Sequence, residues 1–249
     1  YGQDWNGAVD AYVHWLKIQK HDDKPRVLPP RPPGKLVVAI FCLSRVEGMP
    51  HGWGPSALSQ SGIGGSEEAV ILLSRELVAL GMHVEVYAHP PEREIGADKH
   101  GVVWVPAHLF DTKRQPPHVF VSWRGYALST MGGPSALNLL WLHDRVIAQL
   151  LSPAMLPDLG GILVLSRHHA VQLPPHAQDK AIPTRNGLEP SFFRDGPNRH
   201  SDFIFASHPE RGLEQLLQAW PLIRRDVPGA VLRVFHGFPA GYGEGGAPP

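Results

Sequence analysis

Leu36-Val37-Val38-Ala39-Ile40-Phe41 is a continuous apolar run with no polar alternation. A strand of that kind is buried on both faces, as in a parallel sheet. The residues after it alternate between helical and strand patterns. Residues 67–80 have helical spacing, with Ala69, Val70, Leu73, Leu77 and Leu80 on one side and Gly81 as a C-terminal stop. His83 to Ala88 reads as the next strand, and residues 102–105, 118–122, 138–142 and 161–165 as further strands. Helices are expected after Asp144 and after Ser166. A second unit begins near Ser201, with a strand at Asp202 to Ala206, a helix at Pro209 to Arg225 and a strand at Val231 to Phe235. Within that helix Leu213, Leu216, Leu217 and Trp220 are expected to face inward. Strands alternating with helices predict an α/β architecture built on a parallel sheet.

Outside this pattern lie two segments of different composition. Residues 1–21 have a helical pattern, and residues 22–34 carry Pro25, Pro29, Pro30, Pro32 and Pro33. Such a proline density makes a stiff, extended linker, so residues 1–34 read as the end of a preceding domain. Residues 35–197 form the main domain and 198–249 a partial second one. The Gly/Pro-rich end suggests a piece of a longer protein.

The 249 residues hold 23 Lys plus Arg against 23 Asp plus Glu. That balance argues against a nucleic-acid binder, which carries a basic surplus. The single cysteine, Cys42, lies in the apolar run and reads as a buried hydrophobe. A reducing, cytoplasmic setting fits it. No apolar run approaches the roughly 20 residues that cross a bilayer.

Four constellations could carry chemistry. Gly62-Ile63-Gly64-Gly65-Ser66-Glu67 opens a helix after the first strand. Glycines there admit a ligand close to the backbone, and helix-start amides favour anions. The plainer reading is a turn in which Ser66 caps the helix and Glu67 and Glu68 complement its dipole. Glu85 is a weak ribose-binding candidate on the second strand. Trp141-Leu142-His143-Asp144 ends a strand with two polar groups. Either Asp144 satisfies His143 and caps a helix, or the pair touches substrate, with Asp144 as a base. Leu165-Ser166 is followed by Arg167-His168-His169, where adjacent histidines project to different sides and make no metal face; they read as surface or linker-packing residues. Thr184-Arg185-Asn186-Gly187 comes next, in which Asn-Gly alone is a turn. Finally, Ser207-His208-Pro209-Glu210-Arg211-Gly212-Leu213-Glu214 places a cation at a helix start. The helix dipole disfavours it there. An anionic ligand would relieve the conflict, as would pairing with Glu210 or Glu214.

In order, these pieces resemble a retaining glycosyltransferase of the GT-B fold, close to glycosyltransferase family 4. The resemblance covers about residues 35–238 and rests on Gly64-Gly65-Ser66-Glu67, His143-Asp144, Leu165-Ser166, Arg185-Asn186-Gly187-Leu188 and the 207–213 segment. It implies a Rossmann-like acceptor-side domain plus the beginning of a second Rossmann-like domain. It implies that Gly64 and Gly65, with Ser66, approach the donor diphosphate, and that His143 lies near the transferred sugar. Asn186 and Gly187 would belong to the segment joining the domains. Ser207, Arg211 and Gly212 would face the diphosphate, with Arg211 neutralising the leaving group. No metal or other cofactor is implied. The partners would be a UDP- or GDP-sugar donor and a glycan or lipid-linked sugar acceptor, with peripheral membrane association left open. Two departures stand out. Ala206-Ser207 stands where the family has a Gly-Arg pair, and the Glu-x7-Glu segment is missing, so the chain by itself is expected to be inactive. Two rival readings are a non-catalytic glycan-binding or scaffolding module and a Rossmann-type nucleotide-cofactor enzyme. The latter would need a tight glycine turn where Cys42-Leu43-Ser44-Arg45 stands.

Overall fold

The computed structural model describes residues 28, 30–42, 53–60, 63–111, 114–126, 129–190, 201–207 and 209–235. The expected first helix, Gly62 and His208 lie outside them. The chain divides into two compact units, residues 1–189 and 190–249. The sequence pattern puts the join at 197/198, and residues 191–200 are not among those described.

Unit 1 is an eight-stranded sheet in the order β3-β4-β2-β1-β5-β6-β7-β8. Its strands are β1 (Val37–Cys42), β2 (His83–Ala88), β3 (Gly96–Ala97), β4 (Val103–Pro106), β5 (Val119–Trp123), β6 (Leu137–Trp141), β7 (Gly161–Val164) and β8 (Ala181–Pro183). All neighbours pair in parallel except the short edge strand β3. The chain order runs outward from β1 in one direction and then from β5 in the other. The carboxyl ends of β1 and β5 therefore form a topological switch point, where open α/β sheets bind ligands.

The central strand shows what the apolar run encodes. All six residues of β1 are buried. Side chains alternate across a strand, so Val38, Ile40 and Cys42 enter one core with Trp53, Val70, Ile71 and Trp104, while Ala39 and Phe41 enter another with Tyr87, Phe110 and Phe120. A third cluster, including Leu140, Leu142, Ile162 and Val164, fills the far end of the sheet. Cys42 is a buried free thiol whose pKa burial raises.

Helix α1 (Ala57–Gln60) is one turn; α2 (Gly65–Ala79) spans the sheet face. It ends as its glycine predicts. Gly81 has φ 91°, and the amides of Gly81 and Met82 bond back to the carbonyls of Val78 and Leu77, a Schellman closure. The structure departs from the sequence pattern at three places in unit 1. No α-helix follows Asp144. Only 3-10 turns form there, at Ala148–Leu150 and Pro153–Asp158, and Pro157 inside the second removes a donor that an α-helix would need. After Ser166 a single turn, α3 (Arg167–Ala170), suffices. Strand β8 has no sequence signal, being three residues long and ending in proline.

Unit 2 pairs β9 (Asp202–Phe205) with β10 (Val231–Val234) in parallel. They are joined through α4 (Leu213–Asp226), whose Trp220 meets Phe203 edge-on at 5.5 Å. Leu217, expected inward, is 51% exposed. Two strands offer too little sheet to cover more than one stripe of the helix.

Candidate functional site

Four segments reach the carboxyl edge of the unit 1 sheet. They are the start of α2, Arg124 to Tyr126 after β5, Leu142 to Asp144 after β6, and Leu165-Ser166 after β7. Their side chains make one connected cluster.

At the head of α2 the structure corrects the expected cap. The N-cap is Gly64, not Ser66, and no side chain caps the helix. The Gly64 carbonyl accepts the amides of Glu67 and Glu68, both at 3.0 Å. The Gly65 and Ser66 amides are thus left among the first-turn donors that no helical carbonyl can satisfy. Ser66 instead donates its hydroxyl to Glu67 Oε2 at 2.8 Å. Glu67 curls back over the turn so closely that a Cβ at position 64 would collide with its Oε2. Only glycine fits there without displacing the carboxylate. Glu67 is 4% exposed, so it is a buried carboxylate as well as a dipole partner.

Asp144 caps nothing and does not satisfy His143. Its Oδ2 pairs with Arg124 Nε at 2.5 Å. Arg124 Nη1 lies 3.9 Å from Glu67 Oε1, and its Cζ sits 5.0 Å from the Trp123 ring centroid, within cation–π range. The backbone at Arg124 is left-handed, φ 61°, which costs a residue with a Cβ on the order of 1 kcal/mol.

His143 packs against two indoles. Its ring centroid is 4.5 Å from that of Trp141 and 6.1 Å from that of Trp123. Its Nε2 is buried without a hydrogen-bond partner. Burial, then the Arg124 charge, lower its pKa from 6.5 to about 4, against an opposing pull from Asp144 and with a further lowering from His169. The imidazole is therefore neutral at pH 7 and can donate or accept one hydrogen bond at Nε2.

The two neighbouring histidines of α3 part company. His168 is exposed and bonds Gln172. His169, a surface or linker residue by its sequence, is 9% exposed. Its amide donates to the Ser166 hydroxyl, which caps the turn, and its Nδ1 accepts the Leu165 amide at 3.3 Å. A neutral ring then carries its proton on Nε2, and that atom has no partner. The indole nitrogens of Trp123 and Trp141 are also buried without one. Leaving a buried donor unsatisfied costs about 1–3 kcal/mol. Four such nitrogens cluster at the ends of three adjacent strands, where buried ordered water would satisfy them.

Other residues singled out by sequence lie elsewhere. Asn186 and Gly187 are exposed in the irregular stretch after β8, where Thr184 anchors the chain to the Val164 carbonyl. In unit 2, Ser207 follows β9. Arg211 ends a 3-10 turn (Pro209–Arg211) rather than starting the helix, and Gly212, φ 111°, is the N-cap of α4. Glu214 accepts a bond from Gln218. Glu85 is committed to structure, not to a ribose: Arg31, Arg114, His83 and Tyr87 all reach its carboxylate. Among the described residues no three His, Cys, Asp or Glu side chains group as a cation site. None of the described helices is long and apolar enough to cross a membrane.

Sequence reasoning missed Arg124, Glu67's burial and His169. A charged residue directly after an apolar strand and before Gly125 was the available signal for the first.

No family model matches the chain, and no curated protein matches it in sequence. Among solved structures it is similar to the crystal structure of AviGT4, a glycosyltransferase involved in avilamycin A biosynthesis. The two share 17% identity over 80% of this chain and 63% of that one, with a TM-score of 0.44. The chain thus spans less than two thirds of that structure's length.

One pH effect follows from His143. A histidine whose pKa is lower in the folded state binds fewer protons there than when unfolded between about pH 4 and 6.5. Stability then rises with pH across that window and is lost as acid drives the proton on. Because the ring is partly open to solvent, the contribution is discounted to about 1–2 kcal/mol. Urea unfolding at pH 4.5 and 7 should show that loss in the wild type and less of it in His143→Gln. Equal losses would remove His143 as the cause.

Proposed function

We propose that this chain carries the acceptor-side domain, and the opening of the donor domain, of a sugar transferase. It would move a sugar from a UDP- or GDP-sugar to a hydroxyl of a glycan or lipid-linked sugar, with retention. The observation that carries the reading is the neutral imidazole of His143. It packs against two tryptophans, is partly exposed, and stands beside the switch point of an open parallel sheet. The two indoles are buried and hold the imidazole in place, and a partly exposed polar ring at this sheet edge suits a sugar hydroxyl. The head of α2 supports the reading from the other side of the switch point. Gly64, Gly65 and Ser66 offer main-chain amides to a diphosphate, and Arg124 offsets the negative charge of Glu67 that would otherwise repel it.

In this scheme His143 orients the transferred sugar. Asp144 is held by Arg124, which favours an orienting role over that of a base. The α2 amides would meet developing charge on the leaving diphosphate; for Arg211, with Ser207 and Gly212 beside it in the chain, the resemblance implies the role of neutralising the leaving group. Stabilising that charge lowers the barrier most when the donors are fixed in advance. Asn186 and Gly187 act as the connection between domains. The resemblance implies front-face attack, which needs no enzyme nucleophile.

Calorimetry on the full-length protein tests this. UDP or GDP should bind at micromolar strength, and Arg211→Ala should weaken binding by about tenfold or more, the worth of one charge-assisted hydrogen bond. Equal affinities would take Arg211 out of the site. Failure of both nucleotides to bind would sink the sugar-transfer reading.

A further inference from the structure

Arg124 is the only described non-glycine residue with positive φ, and the glycine that would carry this conformation freely stands one position later, at Gly125. The fold therefore keeps a side chain where the backbone disfavours one. The conformation lets β5 end while its lacing continues, since the Arg124 amide still donates to the Trp141 carbonyl at 2.9 Å. It also sends the guanidinium across the carboxyl edge of the sheet. There one side chain engages three elements: Asp144 after β6, Glu67 in the first turn of α2, and Trp123 at the end of β5. Asp144 and Trp123 adjoin His143. The charged or titratable groups facing that ring are Arg124, Asp144 and His169, with Glu67 behind Arg124.

Strain confined to one residue at a ligand-binding edge points to function when the surrounding structure holds it in place. A surface ion pair alone does not explain it. Asp144 is 59% exposed and Arg124 32% exposed in their side chains, so their pairing adds little to stability. What the guanidinium does add is order. Without it the Asp144 carboxylate is free to swing to the partly exposed side of the His143 ring.

We propose that Arg124 is a positioning residue for His143: by tying up the Asp144 carboxylate and packing on the Trp123 indole, it keeps the carboxylate off the imidazole, whose partly exposed side is then free for a neutral hydroxyl. The proposal rests on the reading of this edge as a sugar site.

The test uses Arg124→Gln, Arg124→Gly and Arg124→Lys in the full-length protein. His143 is followed by NMR titration, its resonance identified with His143→Gln. In the glutamine and glycine variants the His143 midpoint should rise above about 4, while burial still holds it below 6.5, because the repelling cation is gone and the freed carboxylate favours the protonated ring. Lysine should restore much of the wild-type midpoint. Arg124→Gly should unfold at the wild-type temperature or above, since glycine accepts the left-handed backbone, while its transfer activity falls about tenfold or more from misplacement of the sugar. A purely structural arginine predicts the opposite stability result. An unmoved His143 midpoint in Arg124→Gln, or full activity in Arg124→Gly, overturns the proposal. The titration requires no nucleotide. If it moves while UDP and GDP fail to bind, the Arg124–His143 link stands and the sugar-transfer reading is what falls.

Discussion

Glu85→Gln should destabilise unit 1 by about 3 kcal/mol, at the lower end of what removing one member of a buried ion pair costs. Glu85 is 1% exposed in the middle of β2. Arg31 holds it with Nε at 3.1 Å and Nη2 at 2.8 Å, Arg114 with Nη1 at 3.2 Å, and the Tyr87 hydroxyl donates to it at 2.9 Å. Burial alone would raise the pKa of this carboxyl. The hydrogen bond and charge of Arg31, then the charge of Arg114 and the Tyr87 hydroxyl, hold it below 4.5 instead. Its contribution is thus present at neutral pH and is lost as pH falls below that value. Tyr87 shows the reverse response, its pKa raised first by burial and then by Glu85. Glutamine keeps the shape but leaves two guanidinium groups facing each other without a counter-charge. For a unit of this size about 3 kcal/mol lowers the melting temperature by roughly 10 °C. Glu85→Leu combined with Arg31→Met should be milder than Glu85→Gln, because it removes charge from both sides. Urea denaturation with tryptophan fluorescence as the readout measures this. A Glu85→Gln loss under about 1 kcal/mol would show the network to be solvated.

The same network explains why residues 30–33 do not behave as their composition suggests. Prolines 30, 32 and 33 predict a spacer standing off the domain. In the structure Arg31 reaches into the sheet face and also bonds the Gln115 carbonyl, while Leu28 packs against the Phe41 and Phe120 cluster. Composition reports stiffness; it does not report where one arginine finds a buried carboxylate. A glutamate inside an otherwise apolar strand was the clue, since a buried charge must have a partner.

Elsewhere the legible and illegible parts divide by physical cause. Strand β2 matches its expected bounds because Gly81 sets its start through the helix stop and its side chains are nearly all buried. Sheet order around β1 is not legible, because period and burial say nothing about which neighbour a strand pairs with. Of the site, His143 and the Gly64-Gly65 turn are readable as polar or glycine punctuation at strand and helix ends. Arg124 shows only as a charge between a strand and Gly125; its part depends on a backbone dihedral and on two partners distant in sequence, Glu67 and Asp144. His169 escapes the pattern because its burial comes from the turn that Ser166 caps, which no periodicity records.

His143→Ala should lower sugar transfer by the full-length protein about 100-fold in kcat/KM while leaving UDP or GDP affinity nearly unchanged. The ring makes no hydrogen bond at Nε2 in the free protein, so its removal breaks no internal bond there. Its loss is felt only when the sugar arrives. A sugar held without that contact can shift by an ångström, enough to cost about 100-fold in a reaction that depends on alignment. The nucleotide itself lacks the sugar and should not register the change. His143→Gln, which keeps a polar atom on a shorter reach, should recover part of the rate. Because the imidazole is already neutral far below pH 7, the pH profile of kcat/KM should show no histidine ionisation from this residue between about pH 5.5 and 8. If nucleotide affinity falls together with activity, His143 acts on the diphosphate and the sugar must be placed elsewhere. If instead activity persists in the alanine variant, the two tryptophans enclose a structural histidine and the carboxyl edge of this sheet needs another reading.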